Sequence, residues 1–228
     1  MSLKAYRVLQ RVEAIVGYHT YLKLVDELIQ KEQEIVSTGM TKEKERCRQA
    51  IKLAEQGKKV AIISSGDPGV YGMAGLILEI LLQQNLELDV EVLPGITAAN
   101  AAASSLGAPL MHDYAVISLS NHLTPWDVIE KRLHSAGESD MIVALYNPKS
   151  SQRLEQIKLA QQILLKYRNP DTPVGIVRKA KRGKEEISLT TLKAMLTEEI
   201  DMLTTVIIGN SQTYTAKELM VTPRGYRL

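Results

Sequence analysis

VAIISSGDPGVYGMAG, residues 60–75, is the stretch whose reading decides the fold. Val60-Ala61-Ile62-Ile63 is a short apolar, largely β-branched run, as expected of a strand covered on both faces of a parallel sheet. Ser64 to Gly69 is dense in turn formers: glycine opens backbone conformations closed to other residues, and proline fixes φ and donates no hydrogen bond. Met73, Leu76, Ile77, Ile80 and Leu81 then recur at helical spacing, so the unit reads strand, tight loop, helix. In open parallel sheets ligands bind beyond the carboxyl ends of the strands, where glycines admit a ligand to the backbone and helix N-termini present unpaired N–H groups. The loop matches neither common phosphate motif. Gly66, Gly69 and Gly72 do not fit G-x-G-x-x-G, and no Gly-Lys-Ser/Thr follows, which disfavours a nucleoside triphosphate. An ordinary strand-to-helix turn stays open as a reading of the same residues.

Outward from this loop, 228 residues with 45% hydrophobic content can bury one large core or two small ones, and two domains are favoured, divided near Met111 as 1–111 and 112–228. A net charge of +2 is too slight to imply a nucleic-acid or anionic-membrane partner, although RKAKRGK (178–184) is a local basic cluster. One cysteine forms no internal disulfide. No signal peptide or bilayer-length apolar run is visible, so the expected location is cytoplasmic. Cys47 falls on one helical stripe with Ala50, Ile51 and Ala54, which marks a buried structural thiol. His19, His112, His122 and His134 show no metal-ligand spacing, and no metal site is expected.

The N-terminal part reads as a helix (Ser2 to Arg11), a strand (Glu13 to Val16), a helix entered through Gly17 to Tyr21, a short strand or loop (Ile35 to Met40), and an amphipathic helix (Thr41 to Gln56) stopped by Gly57. Beyond the central unit, Leu88 to Leu93 reads as a strand, Pro94-Gly95 as a turn, and Thr97 as the cap of a small-residue helix through Ser105. The C-terminal part offers strands at 114–119, 141–145, 174–177, 186–190 and 204–208. One helix starts at Thr124-Pro125-Trp126-Asp127, with Thr124 expected as its N-cap, and another runs through Leu154, Ile157, Ala160 and Leu164. Strands adjacent in sequence suggest hairpins. The expected fold is therefore α/β: a mostly parallel first sheet with flanking helices and a mixed second sheet.

These residues carry a resemblance. SSGDPGVYGMAG (64–75), followed by LPGITAANAAASSLGAP (93–109), resembles the class III methyltransferases that act on tetrapyrroles, the tetrapyrrole methylase family. HDYAVISLSNHLTPWDVIEKRL (112–133), ALYNPKS (144–150) and TTVIIGNS (204–211) are similar more narrowly to the branch that methylates carbon 17 of a precorrin-3 type macrocycle during cobalamin biosynthesis. The match runs from about Val12 to Ser211, and several spaced motifs together are far more specific than any one. One departure is plain: the family's N-terminal strand and its G-x-G-P-G loop are not in this chain, which the resemblance reads as truncation or loss.

The resemblance implies two α/β domains with the active-site cleft between them and a homodimer. It also implies S-adenosylmethionine as methyl donor, with S-adenosylhomocysteine as product, and a small-molecule tetrapyrrole as substrate. It places Gly66, Asp67, Pro68, Val70, Thr97, Ala98, Tyr146, Asn147, Ala180, Thr204 and Thr205 near the cofactor. Asp67 is open to a second, structural reading, capping a helix that starts at Val70. Methyl transfer asks mainly for positioning, whereas the coupled ring contraction moves protons and needs an acid or base. His112 and Asp113 are the catalytic candidates, with Tyr18 and His19 behind them; a backbone-bonding role at the domain junction is the alternative. RKAKRGK is either a holder of substrate carboxylates or a solvated hairpin turn. Rival activities are methylation of another precorrin, of ribosomal RNA or of a modified histidine; a catalytically silent binding module is the rival of a different class.

Overall fold

The computed structural model describes residues 1–227. By packing the chain divides into two compact units, Met1–Thr97 and from Ala98 onward. That division falls earlier than the 111/112 boundary expected from sequence.

In the first unit α1 (Leu3–Leu9) begins at Ser2, whose hydroxyl accepts the Ala5 N–H. Then come β1 (Ala14–Tyr18), the one-turn α2 (His19–Lys23), β2 (Glu34–Thr38), α3 (Glu43–Glu55), β3 (Val60–Ile62) and α4 (Ala74–Gln83). The strands form a parallel sheet in the order β2-β1-β3, with Ile15 opposite Ile35 and Ala61. Ala14, Ile15 and Val16 are fully buried because β1 is central and covered on both faces, by α3 on one side and by Leu9, Val12 and Leu22 on the other. Cys47 is buried with Ile51, Met73, Ile77 and Leu81, as its helical stripe predicts.

Leu88–Leu93, expected as a strand, is not one. Leu86 and Leu88 pack near Ile62 and α4, yet Val90 and Val92 are exposed, and β3 stands at the edge of its sheet beside β1. An extended run becomes a strand where its N–H and C=O groups meet those of a neighbour, and among the described residues this run has no such ladder.

The second unit contains α5 (Ala98–Leu106), β4 (Gly107–Ala108), β5 (Tyr114–Ser118), α6 (Trp126–Glu138), β6 (Ile142–Tyr146), α7 (Gln156–Leu164), β7 (Pro173–Arg178), β8 (Glu186–Thr191), β9 (Thr204–Ile208), β10 (Tyr214–Ala216) and β11 (Leu219–Val221). The main sheet runs β5-β6-β9-β7-β8, parallel between β5 and β6 and antiparallel elsewhere, so the expected mixed sheet is present. A small sheet, β10-β11-β4, was not visible in the sequence because its strands are two or three residues long. Helices α6 and α7 cover one face of the main sheet through Ile129, Leu133, Ile157 and Leu164. Helix α5 covers the other face with Ala99, Ala102, Ala103 and Leu106. Leu106 presses on β7 at Gly175, where a Cβ would lie 2.3 Å from its Cδ1. This packing is why the unit begins at Ala98. Pro125, rather than Thr124, stands at the N-cap of α6. Among the described residues no helix is long and apolar enough to cross a membrane.

Candidate functional site

In the first unit the chemistry collects on the two loops Ser64–Met73 and Pro94–Thr97. Gly66 has φ +76°, a left-handed conformation in which a side chain is strained. A Cβ on Gly95 would come within 2.1 Å of the Gly66 carbonyl oxygen, so the loops touch backbone to backbone at two glycines. Asp67 ties them together. Its Oδ1 accepts the Gly69 N–H at 2.8 Å and its Oδ2 accepts the Gly95 N–H at 2.8 Å. The helix expected from Val70 begins at Ala74 instead, and the Ser64 hydroxyl accepts the Met73 N–H just before it. Asp67 is thus a brace between loops, not a helix cap. Pro68 contributes its carbonyl to the Ala74 N–H, and Val70 donates to the Asp67 carbonyl.

In the second unit most of the expected residues meet at one end of the main sheet. Tyr146 ends β6 and Asn147 follows it; Thr204 and Thr205 open β9, which runs antiparallel beside β6; Ala180 follows β7. The Tyr146 hydroxyl accepts the Ala99 N–H at 2.7 Å, which brings the first turn of α5, and so Ala98, to the same end. Asn147 sits at φ +49° and donates from Nδ2 to the Ser118 hydroxyl at 3.0 Å. The Thr204 hydroxyl donates to Asp201 at 2.9 Å.

His112 and Asp113 are not gathered there. They precede β5, whose register with β6 sets Tyr114 against Ile142 and Ser118 against Tyr146, so they lie at the other end of the sheet, five strand residues or roughly 17 Å away. Their side chains are 52% and 86% exposed; the Asp113 N–H donates to His112 Nδ1, and the Asp113 carbonyl accepts the Ile142 N–H. In the first unit His19 is exposed and its ring lies tilted against that of Tyr18.

The basic cluster forms the β7–β8 turn. Arg178 is taken up by Asp201 at 2.7 Å, Glu186 at 2.8 Å and Glu199 at 3.3 Å, and Lys181 faces Glu185. The hydrogen bonds Arg178 donates to Asp201 and Glu186 raise the guanidinium's pKa further. Burial pushes the Cys47 thiol up to about 11, so it is protonated at neutral pH and no nucleophile. A surface cavity of about 440 Å³ lies at the His112 end of the second sheet, lined by Asp140, Arg168, Asn210 and Ser211 among others. None of its lining residues belongs to the expected site. Buried Arg168 pairs there with Asp140 and the Met141 carbonyl, bracing the start of β6.

Over residues 1–196 the sequence matches the tetrapyrrole (corrin/porphyrin) methylases. The chain belongs to that family. Among its curated members, the chain is 54% identical to a cobalt-factor III methyltransferase of Priestia megaterium, covering all of this chain and 43% of that protein. It spans less than half of that relative's length. It is 50% identical to a probable cobalt-factor III C(17)-methyltransferase of Salmonella typhimurium (strain LT2), covering all of this chain and 94% of that one. The crystal structure of the methyltransferase CobJ superposes with a TM-score of 0.91 at 33% identity, over 98% of this chain and 93% of that one. Within this tetrapyrrole methylase fold, the sequence marks Ser64 as part of a turn-forming run and Pro94-Gly95 as a turn, but not that Ser64 accepts the Met73 N–H, that Gly95 meets Gly66, or that Arg153 stands beside Asn147.

Proposed function

We propose that this chain is an S-adenosylmethionine-dependent C-methyltransferase acting on carbon 17 of a cobalt-containing, precorrin-3 type tetrapyrrole, with coupled ring contraction, in cobalamin biosynthesis. The observation that carries the reading is the gathering of Ala98, Tyr146, Asn147, Ala180, Thr204 and Thr205 at one end of the second sheet. The names of the Priestia and Salmonella relatives support the choice of substrate.

The residues fit the cofactor by their chemistry. An adenosyl group wants hydrogen bonds from uncharged donors and acceptors within a largely apolar slot. The second unit offers hydroxyls, one amide and small apolar side chains, and the carboxylates nearby are internally bonded. In the first unit Asp67 is engaged by two backbone N–H groups, so Gly66, Pro68, Val70 and Thr97 present backbone and small side chains rather than charge. When bound, S-adenosylmethionine supplies an electrophilic methyl group on a sulfonium and leaves as S-adenosylhomocysteine. The chain's own contribution is to orient that group in line with the nucleophilic carbon and to exclude water. Tyr146 fixes the α5 N-terminus, and Asp67 fixes the separation of the two glycine loops, each holding a wall of its unit rigid. A homodimeric, cytoplasmic enzyme completes the reading; sedimentation at micromolar concentration that returned only monomer would remove the dimer.

The test is incubation with S-adenosylmethionine and cobalt-factor III, followed by mass and absorbance analysis. Gain of one methyl group at carbon 17 with contraction of the ring is the expected product. Absence of methylated product, with no S-adenosylmethionine binding by calorimetry, sinks the reading.

A further inference from the structure

Arg153 is held in an unusual electrostatic position at the Asn147 end of the second sheet. The turn Ser150 to Arg153 closes on itself, with Ser150 N–H donating to the Arg153 carbonyl at 3.1 Å and Arg153 N–H donating back at 3.2 Å. This turn places the guanidinium so that Nη2 donates to the Asn147 carbonyl at 3.0 Å and meets the Met202 sulfur at 3.2 Å. Nε is buried without an acceptor, and among the described residues none lies in hydrogen-bond reach of Nη1. Nor does any carboxylate lie within salt-bridge distance of Arg153 or of its neighbour Lys149 among the described residues.

The contrast with the other half-buried or buried arginines is informative. Arg178 faces three acids and Arg168 faces Asp140. Arg46, in the first unit, also has no acid within salt-bridge distance among the described residues, but its Nε, Nη1 and Nη2 all have acceptors and it is only 4% exposed. Removing a cation from water without a counter-ion is costly, and the cost is recovered when an anion arrives. Burial pulls the Arg153 pKa down, the direction expected of a cation lacking such a partner. Nη2 is engaged and Nε is enclosed, which leaves Nη1 to donate to a ligand, and a charge-assisted arginine N–H suits a carboxylate oxygen.

We propose that Arg153 binds a peripheral carboxylate of the tetrapyrrole and so fixes the macrocycle at the Asn147 end of the second sheet. The proposal rests on the substrate class given under Proposed function. It adds a cation to the basic cluster as a holder of substrate carboxylates; within that cluster Arg178 is occupied by acids.

Wild type is compared with Arg153→Met and Arg153→Lys. Loss of one charge-assisted contact should raise KM for cobalt-factor III by about 10-fold to 100-fold in Arg153→Met. kcat should stay within about twofold, as expected for an interaction made equally in ground and transition states. Arg153→Lys should recover part of the loss, because it keeps the charge but not the placement of the guanidinium. S-adenosylhomocysteine affinity by calorimetry and the thermal midpoint should match wild type. If Arg153→Met lowers the midpoint, Arg153→Gln, which keeps a donor for the Asn147 carbonyl, carries the same comparison. An unchanged KM overturns the proposal, as does a KM increase matched by an equal loss of S-adenosylhomocysteine affinity.

A second arm needs no turnover: fluorescence titration with uroporphyrin III, a macrocycle bearing eight carboxylates. If wild type binds uroporphyrin III but methylates nothing, the proposed reaction fails while Arg153 is still judged here. Weaker binding by Arg153→Met then upholds it, and equal binding removes it. Wild type binding neither macrocycle overturns both readings.

Discussion

Asp67 shows how a motif residue acquires its meaning. Each carboxylate oxygen accepts one backbone N–H, from Gly69 two residues on and from Gly95 across a long connection. An asparagine could keep one of these bonds but would turn an N–H₂ or a poorer acceptor toward the other. Asp67→Asn should therefore cost about 1–3 kcal/mol in chemical denaturation, the range for a buried or half-buried donor left unpaired. It should also weaken S-adenosylmethionine binding by calorimetry, because Gly66 and Gly95 would no longer be held at contact distance. Unchanged stability would show that the Gly95 bond is dispensable. The Gly-Asp-Pro loop itself was legible in the letters, since glycine, aspartate and proline announce a turn wherever they cluster. The partner of Oδ2 was not, because nothing local in the sequence points to Gly95.

At the scale of elements, Arg178 joins the end of β7 to the start of β8 through Glu186 and to the approach of β9 through Asp201. The hydrogen bond from Arg178 holds Glu186 below its ordinary range. Asp201 is pushed upward by burial, but bonds from Arg178, Thr204 and the Leu203 N–H outweigh this and leave it below its ordinary range too. A carboxylate whose pKa is lower in the folded state adds stability above its unfolded value of about 4, and loses it as pH falls through the lower folded value. The thermal midpoint of wild type should thus drop steeply below about pH 4. Arg178→Met should be less stable at neutral pH and show a shallower acid decline, measured by scanning between about pH 3 and about pH 7. Parallel curves would mean the pairs contribute nothing beyond solvated charges, as many exposed pairs do. The hairpin was readable from Glu186 to Thr190 lying close behind Val174 to Val177; its acidic partners Glu199 and Asp201 arrive from a separate segment.

At the scale of the whole molecule, the chain divides at Thr97 because α5 packs on the second sheet, with Leu106 fully buried against Gly175. Leu106→Ala should cost about 2–5 kcal/mol, the usual range for a buried leucine. Hydrogen exchange should then show protection lost in β7 and β9 and retained in β1; equal loss in β1 would contradict the division into units. Most of the longer strands and helices, the mixed character of the second sheet and the family motifs follow from the sequence by itself, whereas the short strands β4, β10 and β11 do not. Periodicity and turn chemistry are local properties, and local conformation obeys them. Tertiary structure alone decided that, among the described residues, Leu88–Leu93 has no ladder and Arg153 no acid while Arg178 has three, and that His112 and Asp113 lie a strand's length from Tyr146. Each of these depends on which distant segment the topology sets beside a residue, and a backbone group or charge has a partner only where the fold supplies one.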